Sequence, residues 1–410
     1  MDSLKRPVGS RLAVAVSLLF VALVLCWGKL HYGNVKAGWE LLQVPAMSPR
    51  FVDARAIGAR IDCLKEGEDP YLTCKNDPFG RPANYPPIWL DFRYLGVGVG
   101  STDTLGVIFG VMMALALISV FRANGWISGA LVFFAAISPP VLLAVERGNN
   151  DVVVFSLLVL GSLFAGLQSV KRRPWLFGLQ IVLLTVLKIF PLVTAVALLR
   201  DRRSIWLATS TAIFSLLALV LTCGHRLGAI LANTPQDVNA TFGSHSLFFH
   251  LVRHLHGHGG VLMHRYPGIL GAITIALFAL TAGVLGRKRL HLIFPQLDLI
   301  NPRGFIAASG LAIYCLIFLL GSSYYYRLIF LVGVVPYLIE DLNLRKSLRS
   351  LPATILLLLY LYSPIFQHAL TGEFLDLLIF FGACIWLVST VVANLMTGVQ
   401  PEQLPAPTAL

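Results

Sequence analysis

Asp53 stands in Phe51-Val-Asp-Ala-Arg55, about two dozen residues after the first apolar run. An acid with an arginine two positions on is suited to work as a tuned general base. The ordinary use of such a pair is a salt bridge in a water-exposed loop. A second polar cluster is denser. Glu146-Arg147-Gly148-Asn149-Asn150-Asp151 interrupts apolar residues on both sides. Ionisable side chains at membrane depth are costly and mark pathways or sites. Residues of an outer turn would carry no such cost. Density of charge and amide favours function, with Glu146, Arg147, Asn149 and Asp151 binding substrate hydroxyls or bracing the loop.

Two cations suit the handling of an anion. Lys188 lies in Leu187-Lys-Ile-Phe-Pro191, near the middle of a 26-residue apolar segment, 174–199. A lysine at the centre of a span costs roughly 2.5–3.5 kcal/mol on the insertion scale, and a phosphate in a lined cavity would offset that. Arg327 follows Ser322-Ser-Tyr324-Tyr-Tyr326. Tyrosines there fit an aromatic belt, and the arginine beside them could grip an anionic head group bidentately.

Gly67-Glu-Asp69-Pro-Tyr71 and Asn84-Tyr85-Pro-Pro87 are turn sequences. They are expected to fold their loop back on the membrane, where Tyr71 and Tyr85 could stack on a sugar or anchor at the interface. Seven of the ten histidines fall between His225 and His264, and His250 and His254 have i,i+4 spacing. No Glu completes a His-Glu-x-x-His set among them. A polar outer loop is expected rather than a metal site, with His245 reaching the active region. Neither a P-loop nor a glycine-rich nucleotide fingerprint is present, so no cofactor is expected.

These residues must be positioned by membrane helices. The chain of 410 residues is 57% hydrophobic and 13% charged. Apolar stretches of 17 to 22 residues recur from end to end, each long enough to cross a hydrocarbon core of about 30 Å. The reading is an all-α polytopic membrane protein. Expected spans are 11–29, 103–121, 126–145, 152–169, 204–222, 267–285, 304–321, 327–343, 351–367 and 374–396. The first, with Lys5, Arg6 and Arg11 before it, reads as an uncleaved span. The net charge of +12 sits mostly in short connections. That fits the positive-inside rule better than nucleic-acid binding.

Charge also shapes the segment 174–199. Lys171-Arg-Arg173 precedes it and Arg200-Asp-Arg-Arg203 follows it. Two half-helices broken at Pro191 would keep both clusters on the cytoplasmic side. Arg122, Arg287–Arg289 and Arg345–Arg349 then fall on that side too, as do both termini. The loop 30–100, the turn 139–151, the loop 223–266 and the turns 321–326 and 368–373 face outward. Seven of the 20 acidic residues lie between Pro49 and Asp91 in the first of these loops. Cys63 and Cys74 share it, bridged or as two free thiols. One membrane domain covers 1–399, and 400–410 is expected to be a disordered tail.

The order of these motifs resembles membrane glycosyltransferases of the GT-C fold. An early acid in the outer loop is followed by Gly67-Glu-Asp69-Pro-Tyr71, Tyr85-Pro-Pro87, the 146–151 block, the Lys188 segment and Tyr326-Arg327. It looks most like glycosyltransferase family 87, which includes polyprenol-phosphate-mannose-dependent phosphatidylinositol-mannoside mannosyltransferases. The likeness runs from about Asp53 to about Pro336. It implies inverting transfer of a hexose or pentose, mannose foremost, from a polyprenyl-phosphate sugar to a lipid or glycan acceptor. The site would face the periplasm from the cell inner membrane. Asp53 would be the base, Arg327 and Lys188 the donor phosphate ligands, and Arg55, Asp69, Tyr71, Tyr85, Tyr326 and His245 would bind substrate or brace the loop. Some members of that family carry a histidine near the tyrosine-rich motif, where this chain has Tyr324 to Tyr326. The rival readings are a lipid or sugar transporter, or a non-catalytic subunit of a polysaccharide assembly system.

Overall fold

Leu, Ile, Val, Phe and Ala runs must satisfy every backbone group internally when they lie in lipid, and helices do so. The structure, a computed structural model, describes residues 9–235, 241–247, 273, 276–285, 294–321, 323–345, 350–366 and 370–397. The expected all-α polytopic architecture is present. Among the described residues, six helices are long and apolar enough to cross a membrane, and four shorter apolar helices accompany them. Many large apolar side chains on them point outward, including Leu23, Leu221, Leu285 and Phe374. Pro302–Leu319 is the inner helix, with 89% of its apolar window buried. The tail 400–410 and the His250/His254 pair lie outside the described residues.

The segment 30–100 is not a plain loop. It holds α1's last residues (α1, Gly9–Tyr32), the short helix α2 (Val35–Leu41), the helix α3 (Val52–Lys65) and a three-ten helix, Pro87–Leu95. Ten of the fourteen α3 residues are buried, Asp53 and Arg60 among them. Cys63 and Cys74 are joined as a disulfide, with a Cα separation of 5.7 Å, which ties the end of α3 to the following turn.

Helices α4 (Thr102–Val120) and α5 (Trp126–Ala136) lead to α6 (Pro139–Glu146). The expected outer turn 139–151 therefore shrinks to Arg147–Asn150. Pro139 and Pro140 open α6 because prolines suit the first turn, where their missing N–H is not needed. Helix α7 (Asp151–Gly166) follows at once.

The segment 174–199 is broken as expected, but at Lys188 rather than Pro191. Helix α8 (Arg173–Leu187) ends where Lys188 turns extended, with φ −158° and ψ 140°. A three-ten helix, Phe190–Leu198, then begins with Pro191 in its first turn. The expected span 327–343 is also segmented, as Tyr325–Leu328, Ile329–Val332 and Val335–Arg345. Pro336 removes a donor from that stretch.

After α9 (Ser204–Cys223) and α10 (Leu227–Ala232), a short strand β1 (Thr241–Phe242) pairs antiparallel with β2 (Ser323–Tyr324). This bridge fastens the segment around Thr241 to the tyrosine motif. Phe242 stacks on Tyr314 of the inner helix, with ring centroids 5.8 Å apart. α8 locks to the same helix through Phe177 on Phe305, at 4.0 Å.

Candidate active site

The start of α3 presses against the turn after α6. Gly148 makes that approach with φ +58°, and a Cβ there would meet the Cβ atoms of Ala54 and Phe51 at 3.0 and 3.1 Å. The Asp53 amide donates to the Arg147 carbonyl at 2.9 Å. Above this contact the Arg147 guanidinium donates to both Asp53 carboxylate oxygens, at 2.8 and 3.0 Å. The Asn149 amide donates a third bond at 2.6 Å. Asp53 is buried. Burial alone would raise its pKa, but Arg147 above all, with Asn149 and Arg81, holds the carboxyl below its ordinary value. The group is a carboxylate at neutral pH.

Arg55 is not the partner that its spacing suggested. Residues two apart on a helix point to different faces. Arg55 faces a separate surface cleft with Asp62, Lys65 and Glu66. The second cation at Asp53 is Arg81, 3.7 Å away. Arg81 is itself forked onto Asp77 at 3.2 and 3.1 Å.

The 146–151 block divides by role. Glu146 accepts the Met47 amide at 2.8 Å and braces the loop ahead of α3. Asn149 also accepts the Asp151 amide at 2.8 Å. Asp151, fully buried, pairs with Lys188 at 2.8 Å and with Arg327 at 3.4 Å. The Asn150 amide oxygen accepts from Lys188 at 2.6 Å. The two cations expected to act together are therefore brought together, held by one carboxylate. Lys188, itself buried, is turned towards Asp151 by the extended backbone after α8, where the Trp89 indole N–H donates to the Leu187 carbonyl at 3.0 Å. Arg327 is steadied by the Ser323 hydroxyl at 3.0 Å.

Two cavities meet at these residues. One, of about 150 Å³, is polar and is lined by Asp53, Arg60, Arg81, Arg147, Tyr324 and Tyr326 among others. The other, of about 250 Å³, is a groove lined mainly by apolar side chains, including Phe190, Ile230, Leu231, Ile317 and Leu320. Asn84, Tyr85 and Arg327 line both; Lys188 lines the groove. Leu231 and Leu320 are largely exposed, so the groove opens on the apolar outer surface. The Asn84 amide oxygen in the shared wall is buried without a hydrogen-bond partner.

Tyr326 and Tyr324 stack with centroids 5.7 Å apart, and the Arg147 guanidinium sits 5.4 and 5.6 Å from their ring centres. Tyr71 lies away from the polar cavity. Its hydroxyl donates to the Tyr85 carbonyl at 2.9 Å, and Asn233 ties its carbonyl to that of Ala83. Asp69 caps the same turn through the Tyr71 amide at 3.1 Å and pairs with Arg226. Both are bracing residues. His245 is placed beside the β bridge, its amide 3.4 Å from the Gly321 carbonyl, and does not line the two cavities. No group of three or more metal-ligating side chains occurs among the described residues.

Arg60 and Arg81 belong to no motif in the sequence, and Asn84 stands there only as a turn residue. Asp53, Ala56 and Arg60 share one cavity wall at i, i+3, i+7. That helical spacing was the available signal for Arg60. The polar residues Arg55, Asp62 and Lys65 on the same helix obscure it.

The sequence profile of glycosyltransferase family 87 matches residues 78–295. The match contains Tyr85, the 146–151 block and Lys188, while Asp53, Arg60 and Arg327 lie outside it. No curated protein matches the chain. With more than half of its 410 residues inside that profile, the chain belongs to glycosyltransferase family 87.

Proposed function

We propose that this glycosyltransferase moves a hexose or pentose, mannose foremost, from a polyprenyl-phosphate sugar to a lipid-linked or glycan acceptor. The observation that carries the reading is the junction of an apolar groove with a polar cavity at Asn84, Tyr85 and Arg327. A polyprenyl chain suits the groove, its phosphate suits the Lys188–Arg327 pair, and a sugar ring suits the polar cavity that leads to Asp53.

In the proposed reaction the acceptor oxygen attacks the anomeric carbon from the side opposite the phosphate. The C–O bond to phosphate breaks, and its electron pair goes to the phosphate oxygen. The acceptor proton goes to Asp53. Phosphate leaves as an anion, so it needs positive charge rather than a proton, and preorganised cations supply the stabilisation. Asp151 holds both cations in place before the charge develops. Asp53, kept ionised by Arg147 and Asn149, is a weak base. It suits a transfer in which the acceptor proton is lost late, once the oxygen is bonded to carbon. The positive-inside distribution of the basic clusters supports a site on the periplasmic face of the inner membrane.

The test is purified protein in proteoliposomes, given polyprenyl-phosphate mannose with a radiolabelled sugar. A new glycosidic bond of inverted configuration and release of polyprenyl phosphate are expected. Label that crosses the bilayer with its phosphate bond intact would make the protein a transporter.

A further inference from the structure

We propose that the acceptor carries an anionic group, a phosphate or a carboxylate, near the hydroxyl that is glycosylated, and that Arg60 binds it. This rests on the lipid-phosphate-sugar reading above.

Five cations surround the two joined cavities. Arg147 has Asp53, Arg81 has Asp77, and Lys188 and Arg327 share Asp151. Arg60 has no carboxylate within ion-pair distance among the described residues, although it is only 3% exposed. Its guanidinium donates once, to the Pro82 carbonyl at 3.0 Å, and lies 5.0 Å from the Tyr85 ring centre. Its Nε and Nη1 have no hydrogen-bond partner. A buried guanidinium that uses one of its five N–H groups is expensive to keep. An anion in the cavity beside it would complete its hydrogen bonding with charge-assisted bonds.

Position separates this anion from the donor phosphate. Lys188 lines the groove and Arg60 lines only the polar cavity, while Arg327 lines both. An in-line displacement puts the acceptor on the far side of the sugar from the leaving phosphate. That is the Asp53 side, and Arg60 follows Asp53 by seven residues on α3. Seven residues of helix advance about 10 Å. An anion at Arg60 would therefore lie within one sugar ring or a short tether of the hydroxyl that loses its proton to Asp53.

The test uses three soluble probes: hexyl glucoside, hexyl glucuronide, and hexyl glucoside bearing a 6-phosphate. Binding to the detergent-solubilised full chain is measured for wild type, Arg60→Gln and Arg60→Lys, each checked for a monodisperse elution profile. Wild type is expected to prefer one of the anionic probes over the neutral one by about tenfold or more, the scale of a charged hydrogen bond. The glucuronide and phosphate arms say which anion is meant. The ratio is expected to fall towards one in Arg60→Gln and to survive in part in Arg60→Lys. Equal wild-type affinity for all three probes, or an undiminished ratio in Arg60→Gln, overturns the proposal. So does a rise confined to the donor KM in Arg60→Gln, which would put Arg60 on the donor phosphate. Because binding needs no turnover, the two readings fail separately. Transfer without anion preference removes this inference alone, and anion preference without transfer removes the donor reading and leaves an anion-binding site.

Discussion

Asp53 and Arg147, 94 positions apart, are joined twice, through backbone and side chain. The Asp53 amide donates to the Arg147 carbonyl at 2.9 Å, and the Arg147 guanidinium forks onto the Asp53 carboxylate at 2.8 and 3.0 Å. The acid is thereby fixed in place and fixed in charge.

That pairing sets the pH dependence. Burial raises the Asp53 pKa, but Arg147 and its neighbours more than offset it, leaving the folded value below the ordinary one. The stabilising contribution is present above the unfolded value of about 3.9 and is lost as pH falls through the folded value. The acid limb of kcat/KM should lie below about 3.9. Arg147→Met removes the largest opposing influence, so the limb should move to higher pH and the rate at neutral pH should drop. An unmoved limb would detach Asp53 from the profile.

Lys188→Met and Arg327→Met each leave Asp151 with one cation, so folding should survive both. Each is expected to lower kcat by about 10²–10³-fold, as for other preorganised charge stabilisers. Asp151→Asn leaves two cations facing each other and should destabilise the protein by about 3–5 kcal/mol, as in other broken buried pairs. Thermal melting of the three purified variants separates these effects.

Gly148→Ala places a Cβ at φ +58° against Ala54 and Phe51. The left-handed conformation alone costs about 1–2 kcal/mol. The start of α3 should be pushed from the turn, lowering both Tm and kcat, whereas alanine at Gly129, where a Cβ would meet nothing within 4 Å, should change neither.

Breaking Cys63–Cys74 with a double serine substitution reopens a short loop behind α3. The expected loss is about 3 kcal/mol on the chain-entropy scale for loops of this size. Thermal melts of wild type with and without reductant should reproduce it. An unchanged Tm under reductant would mean that the bridge adds nothing to α3.

The elements most legible in the sequence were those whose polarity conflicts with lipid. Lys188, the 146–151 block and Arg327 stood out because each is costly where it lies, and the fold gathers them around Asp151. Asp53 was legible as an acid, but not its partner. Local spacing proposed Arg55, while the actual contact joins two distant segments through a tertiary approach that only Gly148 hints at. Arg60 escaped because a helix containing Asp62, Lys65 and Arg55 lacks the apolar periodicity that announces helices. The break in 174–199 was legible, but its place was not. Proline at 191 fits the first turn of the next helix, and the extended residue is the lysine.

The role of Asp53 is settled by Asp53→Asn, assayed for transfer from polyprenyl-phosphate mannose in proteoliposomes at matched protein level. Asparagine keeps the shape and cannot take the proton. Transfer should fall by about 10²–10⁴-fold, the range of general-base contributions, with an unchanged elution profile. Transfer at the wild-type rate from equally folded protein would contradict Asp53 as the base.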